Sequence, residues 1–372
     1  MVAGGEHLWG RERLILLDVG ELRTRAAGYD VTGGGLRPLG YLVMESAAAP
    51  GELPARAGAR RGLDAAVVAG RREPPPVIGH PEGQAHAPLL VGAPAATLGG
   101  YEATLAGGAS AAKVLAVLHA ALFPFVRTGD RVHLVLVDGP SAVADRLRSG
   151  PGRWQEQPVV LRGFEPASGE LQPRAVRCNA RTLAAGELFL ELMCARGWLS
   201  EAGPPALVLD LGHRTSRLYL LEASQGLLDL EIIPHGGVRL LEHARRYAAQ
   251  RGWQTGGDVA LLRQLAQGTE MLSFGGMSFV TRQFFTSPLE DLAKALAAGL
   301  AERLRRHGER GGRWPGALLV AGGGARTLAP MIGERLAARR LGIAEVRPLE
   351  EHPCPQLAGA LAMLERLAAA PH

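Results

Sequence analysis

Two short apolar runs in this chain end in the same kind of turn. Residues 14–17 run into Asp18-Val19-Gly20, and residues 206–209 run into Asp210-Leu211-Gly212. An aspartate at a strand end can hold Mg²⁺ directly or through its water shell. The glycine two residues on lets backbone N–H groups come close to phosphate oxygens. Thr215 and Ser216 could add hydroxyl donors to the second turn. Two such turns, one from each half of the chain, could grip a nucleoside triphosphate from both sides, with Asp18 and Asp210 as the metal-holding carboxylates facing one cleft. Taken singly, each turn also reads as an ordinary hairpin in which the aspartate stabilises the bend.

Two further glycine elements suit a close-lying ligand. Gly322-Gly323-Gly324 stands between an apolar run at 317–321 and a helical stretch at 327–340. Such a junction accommodates a planar or phosphorylated group. It is not a Walker A loop, because no Gly-Lys-Ser/Thr follows, and its spacing is not that of a dinucleotide fingerprint. His235-Gly236-Gly237, just before the helical pattern of residues 238–251, is a similar element, and it also reads as a plain strand-to-helix turn.

The elements that position these residues occur twice. Each Asp-x-Gly turn is followed by two more strand-like segments, at 23–29 and 36–44 in the first copy and at 217–222 and 227–233 in the second. Duplication of this kind implies two similar domains. Residues 131–137 form another apolar strand, with a turn at Asp138-Gly139-Pro140 and a helix at 141–148. Residues 287–306 form an amphipathic helix entered through Ser287 and Pro288 as N-cap and first-turn proline. Three stretches, 47–62, 71–76 and 149–174, read as Gly- and Pro-rich loops. Alternation of strands and helices argues for an α/β architecture built on central sheets.

Composition narrows the function classes. The chain has 372 residues, room for two domains. No apolar run is long enough to span a bilayer, and residues 1–13 lack the apolar stretch of a signal peptide. Cys178, Cys194 and Cys354 are too scattered for a disulfide framework or a metal motif, which fits a reducing cytoplasm. The net charge is +5, and of the 41 basic residues all but Lys113 and Lys294 are arginine. The basic stretch at 303–313 is broken by Glu309 and glycines and lacks interleaved aromatics, so direct contact with nucleic acid is not expected.

The order Asp18-x-Gly20, Asp210-x-Gly212-x-x-Thr215, Gly236-Gly237 with its helix, and Gly322-Gly323-Gly324-Ala325 resembles the actin, Hsp70 and sugar-kinase superfamily. Within it the chain is most similar to the ParM-type plasmid-segregation actins. The segment 133–140 resembles that family's Gly-Leu-Pro region, and Pro355-Gln356-Leu357-Ala358-Gly359-Ala360 resembles its terminal motif. The resemblance implies a two-domain actin/Hsp70-like (ribonuclease-H-like, duplicated) fold with a nucleotide cleft between domains. Domain I would take residues 1–175, completed by the C-terminal helix at 355–372, and domain II residues 176–354. It implies ATP or GTP with Mg²⁺ as cofactors, a helical filament of the chain itself, and a DNA-binding adaptor rather than direct DNA or membrane contact. An Hsp70-type chaperone is not expected, because the chain ends with the nucleotide-binding unit.

Departures from that pattern bear on catalysis. Arg217 stands where the family closes its second phosphate loop with an aspartate. Arg181 stands where a glutamate or glutamine at the start of a connecting helix positions the attacking water, and Arg25 takes a lysine place in the first loop. Arginine cannot act as a general base at neutral pH. The resemblance therefore leaves open a filament-forming NTPase, a nucleotide-binding scaffold with little or no hydrolysis, and a small-molecule kinase with Asp138 as its base.

Overall fold

A computed structural model describes residues 11–33, 35–50, 71–72, 89–91, 104–138, 142–165, 170–252, 270–274, 277–351 and 354–369. The chain divides into two units, Met1–Ala185 and Gly186–His372. The boundary expected at 175/176 falls inside a strand of the first unit, and the C-terminal helix packs within the second unit.

The first unit contains β1 (Glu12–Val19), β2 (Arg23–Thr32), β3 (Gly35–Glu45), β4 (Ala48–Pro50), β5 (Arg71–Arg72), β6 (Leu89–Val91), α1 (Ala111–Leu122), β7 (Arg131–Asp138), α2 (Ala142–Ser149), β8 (Gln157–Glu165) and β9 (Glu170–Ala184). Seven strands form one sheet in the order β5-β3-β2-β1-β7-β9-β8. β1, β2 and β3 form an antiparallel meander, while β7 and β9 continue the sheet parallel to β1. Ile15, Leu17, Ala26, Leu42, Leu134 and Leu136 pack with Val117, Leu118 and Leu122 of α1 in one core. At the N-terminal end of β1, buried Arg13 donates to Asp30 at 2.8 Å and to Asp130 at 3.0 Å, tying β1 to β2 and to the residue preceding β7. A buried ion needs such pairing.

The second unit continues with α3 (Ala185–Ala195), β10 (Ala206–Leu211), β11 (Ser216–Glu222), β12 (Gly226–Ile233), α4 (Val238–Gln250), β13 (Met271–Phe274), β14 (Met277–Val280), α5 (Thr281–Phe284), α6 (Thr286–Glu309), β15 (Ala317–Gly322), α7 (Ala325–Ala338), β16 (Glu345–Pro348) and α8 (Pro355–Ala369). Its main sheet has the order β12-β11-β10-β15-β16, again an antiparallel meander followed by two strands parallel to the first. The topology β3-β2-β1-β7-β9 is thus repeated as β12-β11-β10-β15-β16. The expected duplication is present in strand order and direction as well as in the two turns.

Two expectations are corrected. Residues 149–174, read as a loop, contain β8 and the start of β9. β8 lies at the sheet edge, where Pro158 needs no partner for a missing N–H. The helix expected to start at Ser287 starts at Thr286, directly after α5, with buried Phe285 between them and no side-chain cap. Most of the expected loops at 47–62 and 71–76 lie outside the described residues.

One buried group makes the first unit sensitive to acid. His119 of α1 is 4% exposed, and its Nε2 has no hydrogen-bond partner among the described residues. Burial pushes its pKa down from 6.5 to about 4. The unfolded chain therefore binds this proton more readily than the folded one. The stability involved is intact above pH 6.5 and is lost as pH falls from there towards 4, in all about 3 kcal/mol. His119→Leu should flatten the decline in urea midpoint between pH 7 and pH 5; an identical decline in both proteins would show that His119 does not carry it.

Candidate functional site

In the second unit three turns meet at the carboxyl ends of β10 and β15. The first is the β10–β11 turn. A Cβ on Gly212 would lie 2.4 Å from the carbonyl oxygen of Thr215, so only glycine fits that bend. The second is the turn at Gly236-Gly237, which sits directly on the first. The Gly237 N–H donates to the Gly212 carbonyl at 3.1 Å, and the Val238 N–H donates to the His213 carbonyl at 2.7 Å. Buried Ser216 donates its hydroxyl to the His235 carbonyl at 2.7 Å. Its proton is thereby committed to holding the two turns together, which corrects the expectation of a free donor for a ligand.

The third turn is the triple glycine. Gly322 pairs in register with Leu211 and has φ +91°, and a Cβ there would lie 2.4 Å from the Leu211 carbonyl oxygen. Gly324 is left-handed, φ +88°, and leads into α7 at Ala325. Between them a Cβ on Gly323 would meet nothing within 4 Å. The loop is thus closed against the sheet at Gly322 and open at Gly323.

Asp210 stands on β10 opposite Arg217 of β11. Its Oδ2 lies 3.8 Å from Arg217 Nη1 and accepts from Gln356 Nε2 at 3.4 Å. Gln356 opens α8 and is 8% exposed. The sequence reading placed Gln356 in the terminal motif without giving it a role. His213, inside the first turn, is held neutral: burial first, then the charges of Arg214 and Arg245, push its pKa to about 4. His235 is also shifted down, by burial and by Arg239, whose Nη2 lies 2.7 Å from its Nδ1. Thr215, half-buried, completes the turn.

In the first unit Asp18 has the same placement. It stands on β1 opposite Arg25 of β2, and Arg25 Nη1 donates to its Oδ2 at 3.0 Å. The Gly20 N–H donates to the Arg23 carbonyl at 2.9 Å, and a Cβ on Gly20 would lie 2.8 Å from that oxygen. Asp138, at the end of β7, is engaged by Arg148, which also takes Asp145. That pairing ties up the carboxylate a kinase would need as its base. Gly139 and Pro140 lie outside the described residues.

Arg181 is exposed on β9, in register with Val135. It is a strand residue, not the first residue of a helix as expected; α3 begins at Ala185, after the sheet pairing of β9 ends at Ala184.

Both candidate aspartates already face a guanidinium, and among the described residues no group of three His, Cys, Asp or Glu side chains stands together. No helix among the described residues is long and apolar enough to cross a membrane. The arginines at 303, 305, 306 and 313 each pair with an acidic side chain.

No protein-family model and no curated protein sequence matches the chain. Solved structures do. An archaeal actin homologue is similar over 96% of this chain and 99% of its own, with TM-score 0.65 and 16% identity. A 15-stranded ParM filament from Clostridium botulinum is similar over 96% and 99%, with TM-score 0.61 and 10% identity. ParM of Bacillus thuringiensis with ATP is similar over 96% and 100%, with TM-score 0.54 and 12% identity. With the repeated sheet topology, these similarities show that the chain has the actin-like fold of the archaeal actin homologue and the ParM proteins.

Proposed function

We propose that this chain binds a purine nucleoside triphosphate, ATP or GTP, and assembles with copies of itself into a filament whose growth depends on binding more than on hydrolysis. The observation that carries the reading is the meeting of three glycine turns at the ends of β10 and β15, built so that Gly212, Gly236 and Gly322 close against backbone while Gly323 faces open space. Gly212, Thr215, Gly236 and Gly237 would line the phosphates, and Gly322, Gly323, Gly324 and Ala325 the nucleoside. In the first unit Asp18, Gly20 and Arg25 form the corresponding phosphate-binding turn of this proposal. The ATP complex and the filament among the structural neighbours support both halves of the proposal.

Arg217 beside Asp210 favours slow hydrolysis. Phosphoryl transfer to water depends on a group that positions the water, and arginine cannot serve as base. Assembly needs only that nucleotide bind one conformation better than another. Plasmid or other DNA cargo would be reached in the cytoplasm through an adaptor, since the arginines at 303, 305, 306 and 313 pair with acidic side chains.

Light scattering and electron microscopy of the purified chain test the proposal. A non-hydrolysable triphosphate should support polymer as well as ATP or GTP does, and Gly323→Trp should abolish it by filling the open face of the loop. Phosphate release should lag behind polymer growth. Polymer that forms equally without nucleotide, or phosphate release that keeps pace with growth, would sink the reading.

A further inference from the structure

The two hairpins share a device that neither turn signature required. In each, the aspartate at the end of the first strand has an arginine as its cross-strand partner: Asp18 opposite Arg25, and Asp210 opposite Arg217. In each, a guanidinium nitrogen lies next to the carboxylate Oδ2, at 3.0 Å in the first unit and 3.8 Å in the second. At Asp210 the same oxygen also accepts from Gln356 at 3.4 Å. All four charged side chains are partly buried, between 12% and 26% exposed.

A Mg²⁺ ion demands near-octahedral oxygen ligation and sheds its water reluctantly. Here it would meet carboxylates that already face a fixed positive charge, and in the second unit the charges of Arg214 and Arg245 act on the same turn. A phosphate meets the opposite situation. Guanidinium groups bind phosphate oxygens with charge-assisted, often bidentate hydrogen bonds, and the turns add backbone N–H donors. Resting on the nucleotide-binding reading above, we infer that the chain holds the phosphates of its nucleotide with arginine and backbone N–H groups, without a divalent cation. In the second unit Arg217 takes over the charge neutralisation that Mg²⁺ would supply. Asp210 then serves as a positioning residue that orients this arginine, not as a metal ligand.

Calorimetric titration of the full chain with ATP and with GTP, in Mg²⁺ buffer and in EDTA, tests this. Removing the metal should change the affinity for the better ligand by less than about threefold, under 1 kcal/mol. A loss of about tenfold or more in EDTA overturns the inference while leaving nucleotide binding in place. No heat of binding in either buffer removes the nucleotide-binding reading and the inference with it. Arg217→Asp should confer metal dependence, with affinity in EDTA falling at least about tenfold below that in Mg²⁺. Equal affinities in the two buffers for Arg217→Asp would remove this arginine from the site.

Discussion

Gly359→Ala should destabilise the second unit by about 3 kcal/mol or more, although a glycine replaced by alanine inside a helix ordinarily gains about 1 kcal/mol. The two effects are opposed, and distance decides between them. Gly359 lies within α8, and a Cβ there would sit 1.9 Å from the carbonyl oxygen of Leu188 and 2.7 Å from its carbonyl carbon. These are backbone atoms of α3, so no side chain can rotate away. The helices must separate, and the contacts around Leu357, Ala360 and Leu188, all 1% exposed or less, loosen together. Overpacking of this kind, with its off-rotamer side chains and backbone shifts, costs typically about 1–3 kcal/mol and occasionally more, and a 1.9 Å approach to backbone puts this site at the upper end. The exposed pair between Arg366 and Glu191, 2.6 and 3.0 Å across the same two helices, is too solvated to hold them. Urea denaturation gives the answer directly. A midpoint equal to or above that of the unmodified chain would mean that α3 and α8 are not packed this closely.

That contact also shows where sequence reading stops. The runs that became β1, β10 and β15 were legible because each is a block of branched apolar residues ending at a glycine, and a buried parallel strand has no other signature. The turns were legible because bends this tight admit little else. Gly236 and Gly322, however, are glycines because of neighbours far off in the chain, the turn at 212–214 and Leu211. Nothing local distinguishes them from ordinary loop glycines.

Other features were hidden for the same reason. Gln356 reaches Asp210 from 146 residues away, and the arginines opposite Asp18 and Asp210 become partners only once hairpin register is known. β8 and the start of β9 were misread because Pro158, Pro173 and the surrounding glycines spell a loop to any local rule. An edge position makes them harmless: β8 closes the sheet, and residues 170–176 of β9 pair with β8 and not with β7. Arg181 was placed at a helix start because its segment precedes one, yet the strand runs three residues further before α3 begins.

Gly236→Ala should abolish nucleotide binding, by about 100-fold or more, while leaving the rest of the second unit folded. The added methyl would lie 2.5 Å from the His213 carbonyl oxygen, 2.7 Å from the Arg214 carbonyl carbon and 2.7 Å from the Gly212 carbonyl oxygen. All three belong to the backbone of the turn that would hold the phosphates. Relief requires the two turns to part, which stretches the hydrogen bonds from Gly237 to Gly212 and from Val238 to His213. Losing two hydrogen bonds of about 1 kcal/mol each, plus the strain, is tolerable for the fold. It is not tolerable for a site that must present several N–H groups within a few tenths of an ångström of a phosphate. Misplacement by about 1 Å can cost a factor of about 100. Gly323→Ala is the matched control. It carries the same change into open space, so it should leave the fold untouched and reduce affinity far less than Gly236→Ala. Calorimetry on the two variants, with circular dichroism to confirm that both are folded, separates a built ligand site from an incidental meeting of glycine turns. Full affinity in folded Gly236→Ala would show that the phosphates bind elsewhere.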